Sequence, residues 1–224
     1  MPQESASFRG AKKKGPDLRL SKTKVEFMNQ NINTREYWDA LTAGEIERGY
    51  IRKNTTCYKF IEPYLIPGNT FLDLGCNTGS FLKYLKEKLN KNTCDLMGAD
   101  ISEKALKKAR EDLGVLTFTV DFNKENWSDQ VIDAEVVTCF HTIEHVENDD
   151  LLIRSAYELC SKFLIFAIPL NDEWIEHIRS YTVEDVKNLF KNYPEAKFYK
   201  SCLPIGVISQ EIIVIIEKKQ EVRL

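Results

Sequence analysis

Residues 71–81, Phe71-Leu72-Asp73-Leu74-Gly75-Cys76-Asn77-Thr78-Gly79-Ser80-Phe81, hold the reading on which the fold turns. A short apolar strand carries Asp73 at its end, the chain turns through Gly75 and Gly79, and an amphipathic segment from Phe81 to Leu89 follows at once. A glycine-rich turn between a strand and a helix lets a ligand approach the backbone closely and points the positive end of the helix dipole at it. The spacing excludes two common ligands. A dinucleotide fold wants G-x-G-x-x-G and a phosphate loop wants G-x-x-x-x-G-K-[ST]; neither is present. An acid two residues before the first glycine, with no lysine after the last, repels phosphate and suits a ligand that bears an ammonium group and hydroxyls.

The segments that follow repeat the theme. Cys94 to Ser102 reads as a second strand ending in Asp100, 21 residues past Gly79, which is the distance one helix takes. A carboxylate at that strand end can accept both hydroxyls of a ribose. A helix over Glu103 to Leu113 and a third strand over Val115 to Val120 come next, followed by Asp121-Phe122. A single strand-end aspartate is as readily a helix cap or a turn residue. Three of them after three successive strands read as one nucleoside site.

The pattern resembles the first motifs of the Rossmann-like (class I) S-adenosylmethionine-dependent methyltransferases, an acid followed by x-G-x-G-x-G. Here it stands as Asp73-x-Gly75-x-Asn77-x-Gly79, and asparagine in place of the middle glycine tolerates left-handed backbone. The resemblance covers about residues 60–217. It implies S-adenosylmethionine as cofactor, S-adenosylhomocysteine as product, and a cofactor site of Asp73, Gly75, Cys76, Asn77, Gly79, Asp100, Ile101, Asp121, Phe122 and Phe140. In that family the acid at position 121 contacts the adenine amino group and the neighbouring apolar side chain covers the ring.

Beyond Asp121 the βα alternation continues. A strand over Ala134 to Phe140, a helix over Asp150 to Cys160, a strand over Lys162 to Pro169 and a helix over Thr182 to Phe190 are expected, the last capped by Thr182. Glu195 to Leu203 and Ser209 to Ile216 are the last two strands, joined by a short loop with Pro204 and Gly206, hence an antiparallel hairpin. The expected fold is a three-layer α/β, Rossmann-like, seven-stranded sheet, mostly parallel with an antiparallel C-terminal hairpin.

Ligands in open α/β sheets sit beyond the strand carboxyl ends, so the fourth strand delivers the chemistry there: Phe140-His141-Thr142-Ile143-Glu144-His145-Val146. Its Glu-His-Val resembles the ubiquinone-type and related small-molecule O-methyltransferases. Catalytic candidates are His141, Glu144 and His145, with His141 as base or orienter of the methyl acceptor; the alternative for His145 is a structural ring bonded to backbone. Some relatives, among them small-RNA 2′-O-methyltransferases, carry E-x-x-E-H here and hold a divalent metal. His141 replaces the first acid of that set, so the expectation is no metal, although a His/Glu/His group can chemically bind one. After the fifth strand, Trp174, His177, Arg179 and Tyr181 combine aromatic surface with polar tips, either as an acceptor pocket or as a lid segment packed on the body.

From Lys24 to Tyr64 apolar residues recur at three- and four-residue steps, a helical pattern rich in aromatics. It is either a lid over the site or a pair of helices packed on the sheet edge. The organisation expected is a basic, solvated tail over residues 1–22, a helical cap over 23–64 and the methyltransferase domain over 65–224.

Composition agrees. With 224 residues and 43% hydrophobic content, one core needs no disulfides or metal. Six scattered cysteines without a C-x-x-C pair fit a reducing cytoplasm, and no apolar run or leader suggests a membrane span or signal peptide. Of 31 basic and 34 acidic side chains, seven and two fall in residues 1–24, leaving 24 against 32 in the remainder. An acidic body is a poor match for a phosphate backbone. The leading expectation is a methyl group transferred to oxygen or nitrogen of a small molecule. The alternatives are a methyltransferase for RNA or protein, favoured only by the basic tail, and a non-catalytic S-adenosylmethionine-binding protein.

Overall fold

A computed structural model describes residues 32–47, 56–89, 95–172, 174, 176–202 and 210–219. The expected tail, Phe27-Met28, Tyr50-Ile51 and the loop with Pro204 and Gly206 lie outside them. The described elements run α1 (Arg35–Glu47), α2 (Thr56–Ile61), β1 (Phe71–Leu74), α3 (Ser80–Lys88), β2 (Leu96–Asp100), α4 (Glu103–Leu113), β3 (Leu116–Thr119), β4 (Ala134–Phe140), α5 (Asp149–Leu159), β5 (Cys160–Leu170), α6 (Val183–Leu189), β6 (Lys197–Cys202) and β7 (Gln210–Glu217).

Local chemistry sets the helix ends. The Ser102 hydroxyl accepts from Ala105 N at the start of α4, and Gly114 closes that helix with φ +65°. Its apolar Ala105, Leu106, Ala109 and Leu113 recur at helical spacing and are buried. Thr182 and Asp185 form a reciprocal capping box on α6. The α5 helix begins one residue before the expected start because the Asn148 side chain accepts from Leu151 N and caps it there. Cys160 accordingly starts β5 instead of ending the helix.

Seven strands pair in the order β3-β2-β1-β4-β5-β7-β6. The contacts β3–β2, β2–β1, β1–β4 and β4–β5 are parallel, whereas β7 runs antiparallel to both β5 and β6. This is the expected sheet. Strand period two sends alternate residues to opposite faces. Leu72, Leu74, Val137, Cys139, Val214 and Ile216 meet Leu152 and Ala156 of α5 and Val186 of α6. Phe71, Val136, Ile165, Ile213 and Ile215 meet Tyr58 of α2, Leu82 and Leu85 of α3 and Leu106 of α4. Strand order reverses between β1 and β4, so the crevice at their carboxyl ends is the topological switch point where such sheets bind ligands.

Candidate active site

Three backbone positions in the loop after β1 take left-handed conformation, Gly75 (φ +76°), Asn77 (φ +49°) and Gly79 (φ +82°). A Cβ on Gly75 would lie 1.9 Å from the Thr142 hydroxyl oxygen. Glycine there is what lets the β1 and β4 loops touch. Gly75 N and Cys76 N both donate to Ala99 O, at 2.7 and 3.1 Å, which ties the loop to β2. The buried Cys76 thiol lies beneath it, where a Cβ on Gly98 would come within 2.6 Å of the sulfur.

Two of the three acids are held in place by short bonds. Asp73 is buried on β1 and accepts from the Thr138 hydroxyl at 2.8 Å. Burial lifts its carboxyl to about 7 from an ordinary 3.8, with the Thr138 bond opposing and the Asp100 charge adding to the rise. Asp100 accepts from Asn77 N at 2.9 Å and from Ser102 N at 2.8 Å, so one carboxylate joins the glycine loop to the start of α4. Burial raises its pKa too, against the backbone bonds that lower it, those from Ser102, Asn77 and Ile101. Asp121 accepts from Asn123 N at 3.0 Å in a turn after β3. Phe122 packs edge-on against Trp127, with centroids 5.0 Å apart, and is buried in the core.

The helical segment before β1 reaches this crevice. Asp39 of α1 accepts from the Ser102 hydroxyl at 2.6 Å and from Lys104 N at 3.0 Å, beside Asp100. Its neighbours turn the other way: the Trp38 ring meets the His145 ring edge-on at 4.9 Å, and the Tyr37 hydroxyl donates to Glu176 at 3.0 Å. Tyr58 of α2 lies against Phe81, Tyr84 and Phe140.

Beyond β4 all three histidines of the chain surround one carboxylate. His141 Nδ1, His145 Nε2 and His177 Nε2 stand 3.9, 3.9 and 3.8 Å from Glu144 Oε1, and Glu144 is 1% exposed. A short 3-10 turn, Ile143–His145, not expected from sequence, aims Glu144 inward. Ile178 N donates to Glu144 O at 3.0 Å and fastens the segment after β5 to this turn. His145 Nδ1 lies 2.8 Å from Glu176 O, the backbone bond expected of a structural ring, and it leaves Nε2 facing Glu144. Burial lowers the pKa of His177, more than the Asp172 charge restores.

His141 behaves differently from the other two rings. Its Nε2 is 2.8 Å from Glu211 Oε2, a carboxylate with no exposed surface on β7. Burial alone would lower its pKa, but the Glu211 bond and the charges of Glu144, Glu211 and Asp172 leave it raised. Among the described residues the donors placed to hold a divalent ion are therefore Glu144, His145 and His177, whose ligand atoms all lie within 4.8 Å of one another. That differs from the His141-Glu144-His145 group suggested by sequence, because Glu211 engages His141.

Of the four expected acceptor-side residues, only His177 joins this cluster. Trp174 is exposed. Arg179 donates to Glu147 O at 2.8 Å and pairs with Asp149, and the buried Tyr181 donates to Asp149 at 3.1 Å, so both brace the start of α5. Sequence reasoning also passed over Glu211 and Asp39. Glu211 stands at the head of the apolar run Ile212 to Ile216, after Ser209 and Gln210, where an acid reads as an ordinary polar strand end.

Residues 72–162 match a family model described as a methyltransferase domain. No curated protein matches the chain in a sequence search. Among solved structures, similarity extends to a complex between the Haloferax volcanii Trm112 methyltransferase activator and a methyltransferase (TM-score 0.63, 13% identity, covering 81% of this chain and 98% of that one). It extends also to magnesium protoporphyrin IX methyltransferase from Synechocystis PCC 6803 with bound S-adenosylhomocysteine (TM-score 0.60, 16% identity, 82% and 97% covered). A third is the plantazolicin methyltransferase BpumL with a desmethyl analogue and S-adenosylhomocysteine (TM-score 0.57, 14% identity, 88% and 92% covered).

Proposed function

We infer that this chain is an S-adenosylmethionine-dependent methyltransferase of the Rossmann-like class, with residues 72–162 its methyltransferase domain, and that it methylates oxygen or nitrogen of a small-molecule acceptor. The observation that carries the reading is the row of acids Asp73, Asp100 and Asp121 at the carboxyl ends of three neighbouring parallel strands, beside a left-handed glycine turn. The residues fit the cofactor. Asp100, its oxygens anchored by two backbone N–H groups, retains lone pairs for ribose hydroxyls. Asp73 offers a buried carboxylate to the ammonium group, and Gly75, Cys76, Asn77 and Gly79 let the ligand lie against backbone. Asp121 stands where an adenine amino group would donate, with Ile101, Phe122 and Phe140 as apolar walls.

The sulfonium supplies an already activated methyl group, so the chain's own residues have only to orient an acceptor, exclude water and take a proton. His141, at Nδ1, is the group we assign to the proton. His177 flanks the acceptor; Trp38 and Tyr37 of α1 cover the His145 side and limit water. Two of the similar structures are named for porphyrin and plantazolicin methylation, which supports a small organic acceptor. The acidic body and the lack, among the described residues, of any helix able to cross a membrane favour neither nucleic acid nor a bilayer as partner. A second reading, a divalent ion on Glu144, His145 and His177, rests on the convergence of those donors and on the Glu176 carbonyl that orients His145. The deciding experiment is calorimetry with S-adenosylmethionine, followed by a screen of metabolite and RNA pools for release of S-adenosylhomocysteine. Absence of cofactor binding would overturn the reading, and release only with RNA would move the acceptor to a macromolecule.

A further inference from the structure

We propose that Glu211 is a positioning residue for the methyl acceptor site: from β7 it holds His141 by Nε2 and fixes the ring so that Nδ1 faces the space shared with Glu144 and His177. The inference rests on the methyltransferase reading for its catalytic consequence, but the geometry stands by itself. Glu211 is opposite Pro169 in the β5–β7 register and points to the sheet face lined by Ile213 and Ile215. A carboxylate with no exposed surface is strongly disfavoured there unless it is paired. Among the described residues His141 is the hydrogen-bond partner of its Oε2, at 2.8 Å, and Oε1 has none.

A second observation is independent of that contact. His141 has φ +50°, a conformation in which non-glycine residues persist only where the surroundings over-determine them. Two anchors do so here: His141 N donates to Ala167 O at 2.9 Å, and the ring is held by Glu211. Backbone and side chain are thus fixed from β5 and β7 respectively. The groups facing the ring are Glu211 from β7, Glu144 from its own turn, and Asp172 and His177 from the segment after β5. Nδ1 is 3.9 Å from Glu144 Oε1, too far for a hydrogen bond, so it is left to meet an acceptor.

The test uses the full chain with S-adenosylhomocysteine present. Long-range proton–nitrogen spectra of the histidine rings report which nitrogen of His141 carries a proton. The unmutated protein is expected to show a persistent Nε2–H on His141. Glu211→Gln, which keeps an acceptor oxygen but no charge, should retain that proton with its resonance moved upfield. Glu211→Leu, close in volume and apolar, should give averaged signals from both ring tautomers. With an acceptor found by the release screen, Glu211→Leu should lower kcat about 10²–10⁴-fold, the span of a lost general base, without changing the KM for S-adenosylmethionine. The same substitution should add nothing further in a His141→Ala background, as for residues acting as one unit. An unchanged His141 spectrum in Glu211→Leu, or no Nε2 proton in the unmutated protein, refutes the proposal. If Glu211→Leu does not fold, the unmutated and Gln spectra decide alone. Failure of calorimetric cofactor binding in the unmutated protein would instead refute the methyltransferase reading and leave the ring anchoring to its own spectra.

Discussion

Replacing Asp100 by alanine removes a carboxylate that joins the glycine loop to the start of α4 and, on the proposed function, receives the ribose. Its oxygens accept from Asn77 N and Ser102 N at 2.9 and 2.8 Å. Hydrogen bonds to a charged acceptor contribute about 1.5–3 kcal/mol each, while burial, which raises this carboxyl's pKa, offsets part of the gain. A net loss of roughly 2–4 kcal/mol follows, and for a chain of this size that is a fall in Tm of about 4–16 °C. The ligand should lose more than stability alone explains, because two ribose hydroxyls lose a charged acceptor. At about 1.5–3 kcal/mol, Kd for S-adenosylhomocysteine should rise roughly 10- to 150-fold. Asp100→Asn keeps a single acceptor oxygen and can satisfy only one of the two N–H groups, so both losses should be intermediate. Titration calorimetry and thermal denaturation on the three proteins read the two effects separately. A Kd for Asp100→Ala within twofold of the unmutated protein would falsify the assignment of the ribose to this residue.

Asp73 gives a pH signature with opposite signs for stability and binding. Its folded pKa of about 7 exceeds the ordinary 3.8, so between these values the folded state holds more protons than the unfolded one, and stability of the free protein should fall as pH rises from about 4 to 7. Cofactor binding should strengthen over that window, about tenfold per pH unit below 7, as the carboxylate ionises to meet the ammonium group; an Asp73→Asn profile that is not flatter contradicts this. Gly75→Ala forces left-handed backbone on a residue with a Cβ and drives that atom into Thr142, so unfolding free energy should drop by at least about 2 kcal/mol; urea melts that coincide refute the packing described. If the second reading holds, cobalt(II) or zinc titrated into metal-free protein should bind one ion per chain, with His177→Ala abolishing binding and His141→Ala preserving it. Calorimetry without heat above the buffer blank would remove the metal.

What was legible in the sequence was whatever depends on near neighbours. The βα alternation, the Glu103–Leu113 helix, the Thr182 cap and the acid-glycine turn are written in local spacing, and the structure reproduces them. The antiparallel hairpin was equally readable from its short connection. The candidate site was only half legible. His141, Glu144 and His145 are adjacent in the chain, but which donors face one another depends on Glu211, 70 residues away, and on His177, which the backbone bond from Ile178 to Glu144 draws in. No period or motif encodes such a pairing. Arg179 and Tyr181 were chosen for their chemistry, yet Asp149, itself part of a helix start, holds both. Glu211 itself reads in sequence as the polar head of an apolar strand, since Gln210 precedes it and the unbroken run Ile212 to Ile216 follows.

The placing of β7 between β5 and β6 bears on how the protein is made. As the chain emerges from the ribosome, β1 to β5 can pair in parallel while the outer edge of β5 remains open, and an open edge is a template for wrong partners. Only when residues 210–217 have been synthesised does β7 close that edge, and the same insertion brings Glu211 to His141. The site therefore matures last. A nascent chain stalled short of residue 210 would have its glycine turn and acids in place but an unanchored His141, so on the proposed function nascent-chain ligand binding should precede competence for methyl transfer.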